Sequence, residues 1–201
     1  INDDCAEIKT REALFLEIET EFKKSQNKNI IVALHHPLFT NGIHGGQYNF
    51  NRHIYPSQKK IPIPILGSLA TLIRTTGGVS IQDAQNERYK SLVKRLETLG
   101  QKSDRLIFVS GHEHSLQYIE HGKIKQIVSG STSKATYATL SNDGVFAYPE
   151  QGFAVYDVFK DGSTWVSFYG NEENKPKLLF QKEIFEAPQE FDISEFPKEF
   201  D

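Results

Sequence analysis

The chain has no methionine, a single cysteine and a single tryptophan. A lone Cys5 excludes an internal disulfide framework and any cysteine-rich zinc module. No apolar run approaches the roughly 20 residues needed to span a bilayer as a helix. The longest apolar stretches, such as Ile30 to Leu34, are strand-sized. Neither charge dominates: a net charge of -3 gives no overall electrostatic case for nucleic acid or an anionic membrane. Internal repeats and low-complexity tracts are absent. Position 1 is not methionine, nothing at the start reads as a signal peptide, and Ile1-Asn2-Asp3-Asp4 opens in a polar segment. The expectation is a piece of a longer protein. What is present, 201 residues with 38% hydrophobic and 24% charged, suits one globular domain with a real core.

Periodicity organises the chain. Leu14, Ile18 and Phe22 recur at a spacing of four beside Phe15, which predicts a helix from Thr10 to Lys24. Ile30 to Leu34 is a continuous apolar run, expected as a strand buried on both faces. Residues 38 to 68 carry scattered Gly and Pro and predict a long, functional or mobile loop, followed by a short helix from Ser68 to Arg74. Tyr89, Leu92, Val93, Leu96 and Leu99 form the stripe of a helix over Asp83 to Leu99, with Asp83 as N-cap and Gly100 as stop. A second buried strand is expected over Arg105 to Ser110, then a hairpin of Leu116–Glu120 and Ile124–Ser129 around Gly122. Strands over Gly152–Phe159, Thr164–Tyr169 and Lys177–Ile184 complete an α/β domain.

The chemistry lies in the histidines. Both of the most apolar strands run straight into them: His35-His36-Pro37 after the first and Gly111-His112-Glu113-His114 after the second. Open α/β sheets bind ligands at the carboxyl ends of their strands. Neutral imidazole is a good ligand for zinc, iron and manganese centres. His35, His112 and His114 therefore stand where a metal site is built. The bland alternative is a set of exposed or backbone-bonded loop histidines. His36 reads as structural, packed beside Pro37; His53 and His121 read as surface residues, and Asp83 as a helix cap. Trp165, Phe168 and Tyr169 read as sheet core. Ser129-Gly130-Ser131-Thr132-Ser133-Lys134 lacks the strand-to-helix setting of a phosphate loop.

Val32-Ala33-Leu34-His35-His36-Pro37 and Phe108-Val109-Ser110-Gly111-His112-Glu113-His114 resemble two metal-binding blocks of the calcineurin-like, purple-acid-phosphatase-like metallophosphoesterases. The resemblance covers roughly residues 10 to 185. It implies part of a four-layer α/β/β/α sandwich whose N-terminal half is missing. It also implies a pair of divalent or trivalent ions (Fe, Mn or Zn), with His35 and His112 on one and His114 on the other. His44, nine residues after His35, corresponds to the histidine that contacts the substrate phosphate or protonates the leaving group. The family's Asp-x-His, Gly-Asp-x-x-Asp and Gly-Asn-His-Asp/Glu blocks do not occur in this sequence. Three histidines cannot hold two ions, so this stretch alone is expected to be inactive and its site to be completed by an N-terminal half.

The resemblance implies a phosphomonoester or phosphodiester as substrate, with no nucleic-acid partner evident. Arg52, His53 and Lys59 either add phosphate contacts or are plain surface charge. Glu113 reads as a group that orients a ligand ring and not as a ligand. A looser similarity to cell-envelope phosphoesterases, some followed by an outer-membrane β-barrel, implies an envelope location. On that view residues 1–185 belong to the phosphoesterase domain, and the acidic, Phe-rich 186–201 forms a linker toward a barrel or envelope partner. Two other readings stay open: a non-catalytic, phosphoesterase-like scaffold subunit of a cell-envelope assembly, and a mononuclear zinc site of His35, His112 and His114.

Overall fold

The structure, a computed structural model, describes residues 8–55, 61–77 and 83–188. Thr10 caps the first helix, α1 (Arg11–Lys24), by accepting a hydrogen bond from Ala13 N at 3.1 Å. The chain then turns through Asn27 in the left-handed region (φ 66°), a conformation asparagine tolerates, and enters β1 (Ile30–Leu34). A 3-10 turn (Ile43–Gly45) and two helices, α2 (Phe50–Ile54) and α3 (Pro64–Gly77), fill the stretch expected as loop. Helix α3 begins four residues before the expected Ser68, because Pro64 fits a first helical turn, where no backbone donor is needed. Helix α4 (Glu87–Gly100) is capped by Asn86 and not by Asp83. The strands follow: β2 (Leu106–Ser110), β3 (Leu116–His121), β4 (Ile124–Ser129), β5 (Gly144–Tyr148), β6 (Gly152–Val158), β7 (Thr164–Glu172) and β8 (Lys175–Phe185). Sequence periodicity had not marked β5.

The fold is mixed α/β with two sheets. One has five strands in the order β1-β2-β4-β3-β5, and the other is an antiparallel β6-β7-β8 sheet. β1, β2 and β4 run parallel; β3 returns antiparallel beside β4 and pairs with β5 on its other side. Two cores hold the layers together. Phe15 and Phe22 of α1 and Leu96 and Leu99 of α4 pack on Leu106, Phe108 and Ile124 of the larger sheet. Ile107, Leu116, Tyr118 and Ile127 on its opposite face meet Val166, Phe168, Ile184 and Phe185 of the smaller sheet. Each such fully buried side chain contributes about 1.5–3 kcal/mol relative to exposure. Of the three late aromatics, Phe168 is in this core while Trp165 and Tyr169 are half-buried.

β1 departs from the expectation of two buried faces. Its burial alternates: Ile30, Val32 and Leu34 turn toward the helices, and Ile31 is 49% exposed with Ala33 also open. Every position of β1 is apolar, so the sequence alone could not separate the covered face from the open one.

Candidate metal centre

The parallel register decides where the histidines go. Leu34 pairs with Ser110 at the ends of β1 and β2. One residue further along the first chain and two along the second, His35 and His112 leave the sheet side by side from the same carboxyl edge. Their ring centroids are 5.2 Å apart. His36 turns to the same point, 4.0 Å from His112 and 4.9 Å from His35. His35, His36 and His112 can each offer a nitrogen such that all three lie within 4.8 Å of one another, the only such group of histidine, cysteine or acidic residues among the described residues. His112 is held at φ 65°, in the left-handed region a non-glycine residue occupies at a cost of about 1–2 kcal/mol.

His44 stands over this group, its ring 4.2 Å from that of His112. Its Nδ1 is 2.9 Å from Oδ1 of Asp83, a carboxylate with only 1% of its surface exposed. A carboxylate accepts and does not donate, so Nδ1 carries the hydrogen that bonds Asp83. The backbone reinforces the pairing: Ala84 N donates to His44 O at 2.9 Å. His114, by contrast, is not part of the convergent group. It is half-buried, and its carbonyl accepts from Thr136 N at 2.7 Å. His53 bonds Thr71 Oγ1 at 3.1 Å, between helices α2 and α3.

Three buried side chains from one region of the sheet fix the loop that presents His36 and His44. Leu38 N donates to Gln126 Oε1 at 3.0 Å, Asn41 N to Gln117 Oε1 at 2.7 Å, and His44 N to Glu113 Oε1 at 2.8 Å. The loop thus gives up one backbone donor every third residue to an acceptor on β4, on β3 or in the turn after β2. Thr40 Oγ1 also donates to Glu113 at 2.9 Å, and Tyr89 OH donates to the carbonyl of Pro37. All three acceptor residues have no exposed surface. Each bond satisfies a buried donor that would otherwise cost about 1–3 kcal/mol. Gly42 is required here, since a Cβ would lie 2.5 Å from the Glu113 carboxyl.

Burial lowers the pKa of His36, assisted by repulsion from His35 and His44, which keeps its imidazole neutral and competent as a ligand. Burial also pushes Glu113 upward, opposed by the His44 charge, the Thr40 hydroxyl and the backbone N–H groups of His44 and Gly45. The donor set suits one borderline ion such as zinc, with three imidazoles and an open position. It does not by itself suit two ions, because no carboxylate among the described residues joins the convergent group.

The comparisons with known proteins bear on the fold. No protein-family profile matches the chain, and no curated protein matches its sequence. Among solved structures it is similar to GAP50, the anchor in the inner membrane complex of Plasmodium. The TM-score is 0.51 and the identity 14%, over 90% of this chain and 45% of that chain. The chain therefore spans less than half the length of that protein, and the likeness is one of fold. A zinc-complexed Vps29 from Entamoeba histolytica aligns at TM-score 0.32 and 18% identity over 50% of this chain and 48% of that chain, too small an overlap to define a common fold.

Sequence reasoning missed His36 as a member of the cluster and Asp83 as the partner of His44. The Asp83 contact crosses 39 residues and left no local pattern. Gln117 and Gln126 did leave a signal: each is a polar side chain within an apolar strand, where it must find a buried partner.

Proposed function

We propose that this chain carries the histidine face of a metal-dependent phosphoester hydrolase. The observation that supports it most is the pairing of a three-imidazole cluster with a fourth histidine oriented by a buried aspartate. Imidazoles alone would serve a structural ion. A His44 ring held through Nδ1 by Asp83, with its centroid 4.2 Å from that of His112, is placed to act as a proton donor or phosphate contact. In this reading His35, His36 and His112 hold the first ion, and His114 belongs to a second. The carboxylates that the second ion needs come from a segment outside the cluster. Bound ions of this kind lower the pKa of water and neutralise charge on phosphoryl oxygens. In its imidazolium form His44 would deliver a proton from Nε2 to the departing oxygen, while Asp83 accepts from Nδ1 and holds the ring in place.

Residues 1–185 would form the phosphoesterase portion and 186–201 a linker. An envelope or membrane-associated setting, with a barrel or envelope protein as neighbour, is part of the same proposal. Its support is the fold likeness to a protein described as a membrane-complex anchor. No helix among the described residues is long and apolar enough to cross a membrane.

The all-imidazole donor set also favours a second reading, in which the domain is a scaffold that binds metal without turnover. The test is hydrolysis of p-nitrophenyl phosphate by the native protein loaded with zinc, manganese or iron. Turnover that is lost on His44→Ala and on His112→Ala supports the hydrolase. A metal-loaded protein without turnover leaves the scaffold.

A further inference from the structure

Helix α3 is amphipathic the wrong way round. Its inward stripe is small or polar: Gly67 and Thr71 are buried, and Thr75 is half-buried at the 42–46 turn, where a Cβ on Gly46 would lie 2.9 Å from its methyl. Thr71 Oγ1 bonds His53 and the carbonyls of Gly67 and Ser68. Ile65, Leu66, Leu69, Leu72 and Ile73 form the opposite stripe and face solvent, from 49% exposed at Leu69 to 82% at Ile65. Phe50, opening α2, is 76% exposed. Contiguous exposed aliphatic surface of this kind marks an interaction site.

Its charge is as one-sided as its hydrophobicity. From Phe22 to Gln82 the sequence contains no Asp or Glu, while Phe50 to Gly77 contains Arg52, Lys59, Lys60 and Arg74. The whole-chain value of -3 conceals this segregation. The α3 stripe is aliphatic throughout, without the Trp, Tyr and Met enrichment of protein interface cores. Helices α2 and α3 pack against each other, present an aliphatic outer face and have no acidic residue in their sequence, which matches an element lying in the interface of an anionic bilayer.

We propose that α2–α3 is a membrane-surface element that inserts the Ile65–Ile73 face among the acyl chains of anionic lipids. It inserts from one side and does not span. This does not rest on the hydrolase reading: the two use different faces of the 42–77 region, and either can fail alone. Because α3 packs beside the 42–46 turn, insertion would bring the His44 end of the site near the lipid surface.

The test is flotation of the full chain with vesicles of phosphatidylcholine, with and without phosphatidylserine, at low and high salt. Binding is expected to require phosphatidylserine and to weaken at high salt. It should fall about ten-fold or more in the triple variant Ile65→Ser, Leu69→Ser, Leu72→Ser. Arg52→Glu, which leaves the apolar face intact, should weaken binding and reduce its salt dependence. Hydrogen exchange on the unaltered protein gives a readout independent of any variant: protection of 64–77 should appear only with phosphatidylserine vesicles. The proposal is overturned by absence of binding, by equal binding to both vesicle types, or by a triple variant that binds like the parent. It is equally overturned if 64–77 is already protected without vesicles, which would mean that a second copy or the chain itself covers this face.

Discussion

Asp83 Oδ1 and His44 Nδ1 lie 2.9 Å apart, and the aspartate is almost wholly removed from solvent. The contact ties the residue four positions ahead of α4 to the turn beyond β1. It fixes both the tautomer and the orientation of the ring above His112.

Asp83→Asn and Asp83→Ala should therefore act through His44. In the native protein, phosphoester turnover should fall about 10- to 100-fold in kcat, with metal affinity nearly unchanged. A change confined to KM would show that Asp83 does not position His44 for proton transfer.

Glu113 is the acceptor for both Thr40 Oγ1 and His44 N. Glu113→Ala should destabilise the protein by about 1–3 kcal/mol by leaving two buried donors unpaired. Glu113→Gln keeps a carbonyl acceptor and should cost less. Gly42→Ala should resemble the Glu113→Ala variant, because the new methyl occupies the position of the carboxyl. Chemical denaturation separates these outcomes; a neutral Gly42→Ala would refute the packing of this turn.

His112 tests whether strain is retained for function. Its φ of 65° suits glycine, so His112→Gly should be as stable as the parent or more stable by up to about 1 kcal/mol. His112→Ala should be less stable than His112→Gly. Both should lose metal binding. Thermal melts of the metal-free proteins give the stability comparison directly.

His121 bridges two carboxylates, Asp143 at 2.7 Å and Glu97 at 3.1 Å, and is not the plain surface residue its hairpin position suggests. The hydrogen bond to Asp143 raises its pKa above the ordinary 6.5; burial opposes this, and the hydrogen bond to Glu97 adds to the rise. A raised folded-state pKa stabilises the fold fully below the unfolded value and loses that contribution as pH rises through the folded one. The gap in Tm between the protein and His121→Gln should be widest in mild acid and close as the pH rises above about 6.5. A gap that grows with pH would contradict the assignment.

Much of this was legible from local pattern. Apolar runs that end in histidine located β1, β2 and the carboxyl edge where His35 and His112 meet. The four-residue spacing of Leu14, Ile18 and Phe22 located α1, whose boundaries moved by a single residue. Long-range relations were not legible. The hydrogen bond from His44 to Asp83 gives no periodicity, and the nearer Asn86 takes the capping role once assigned to Asp83. β5 escaped because Val145-Phe146-Ala147-Tyr148 is short, lies between Gly144 and Pro149, and is specified by pairing with β3. Helix α3 was cut short because its apolar residues point outward, so burial could not have been their signal. A whole-chain charge also hid the acid-free stretch before Asp83.

The most direct test of the metal centre is a cobalt(II) titration of the desalted protein, followed by its visible absorption and by isothermal calorimetry. About one tightly bound ion per chain, with imidazole-type spectra, is expected. Binding should be lost in His35→Ala, His36→Ala and His112→Ala and retained in His114→Ala. No binding with all four histidines intact, or binding that survives His36→Ala and His112→Ala together, would contradict a centre formed by His35, His36 and His112.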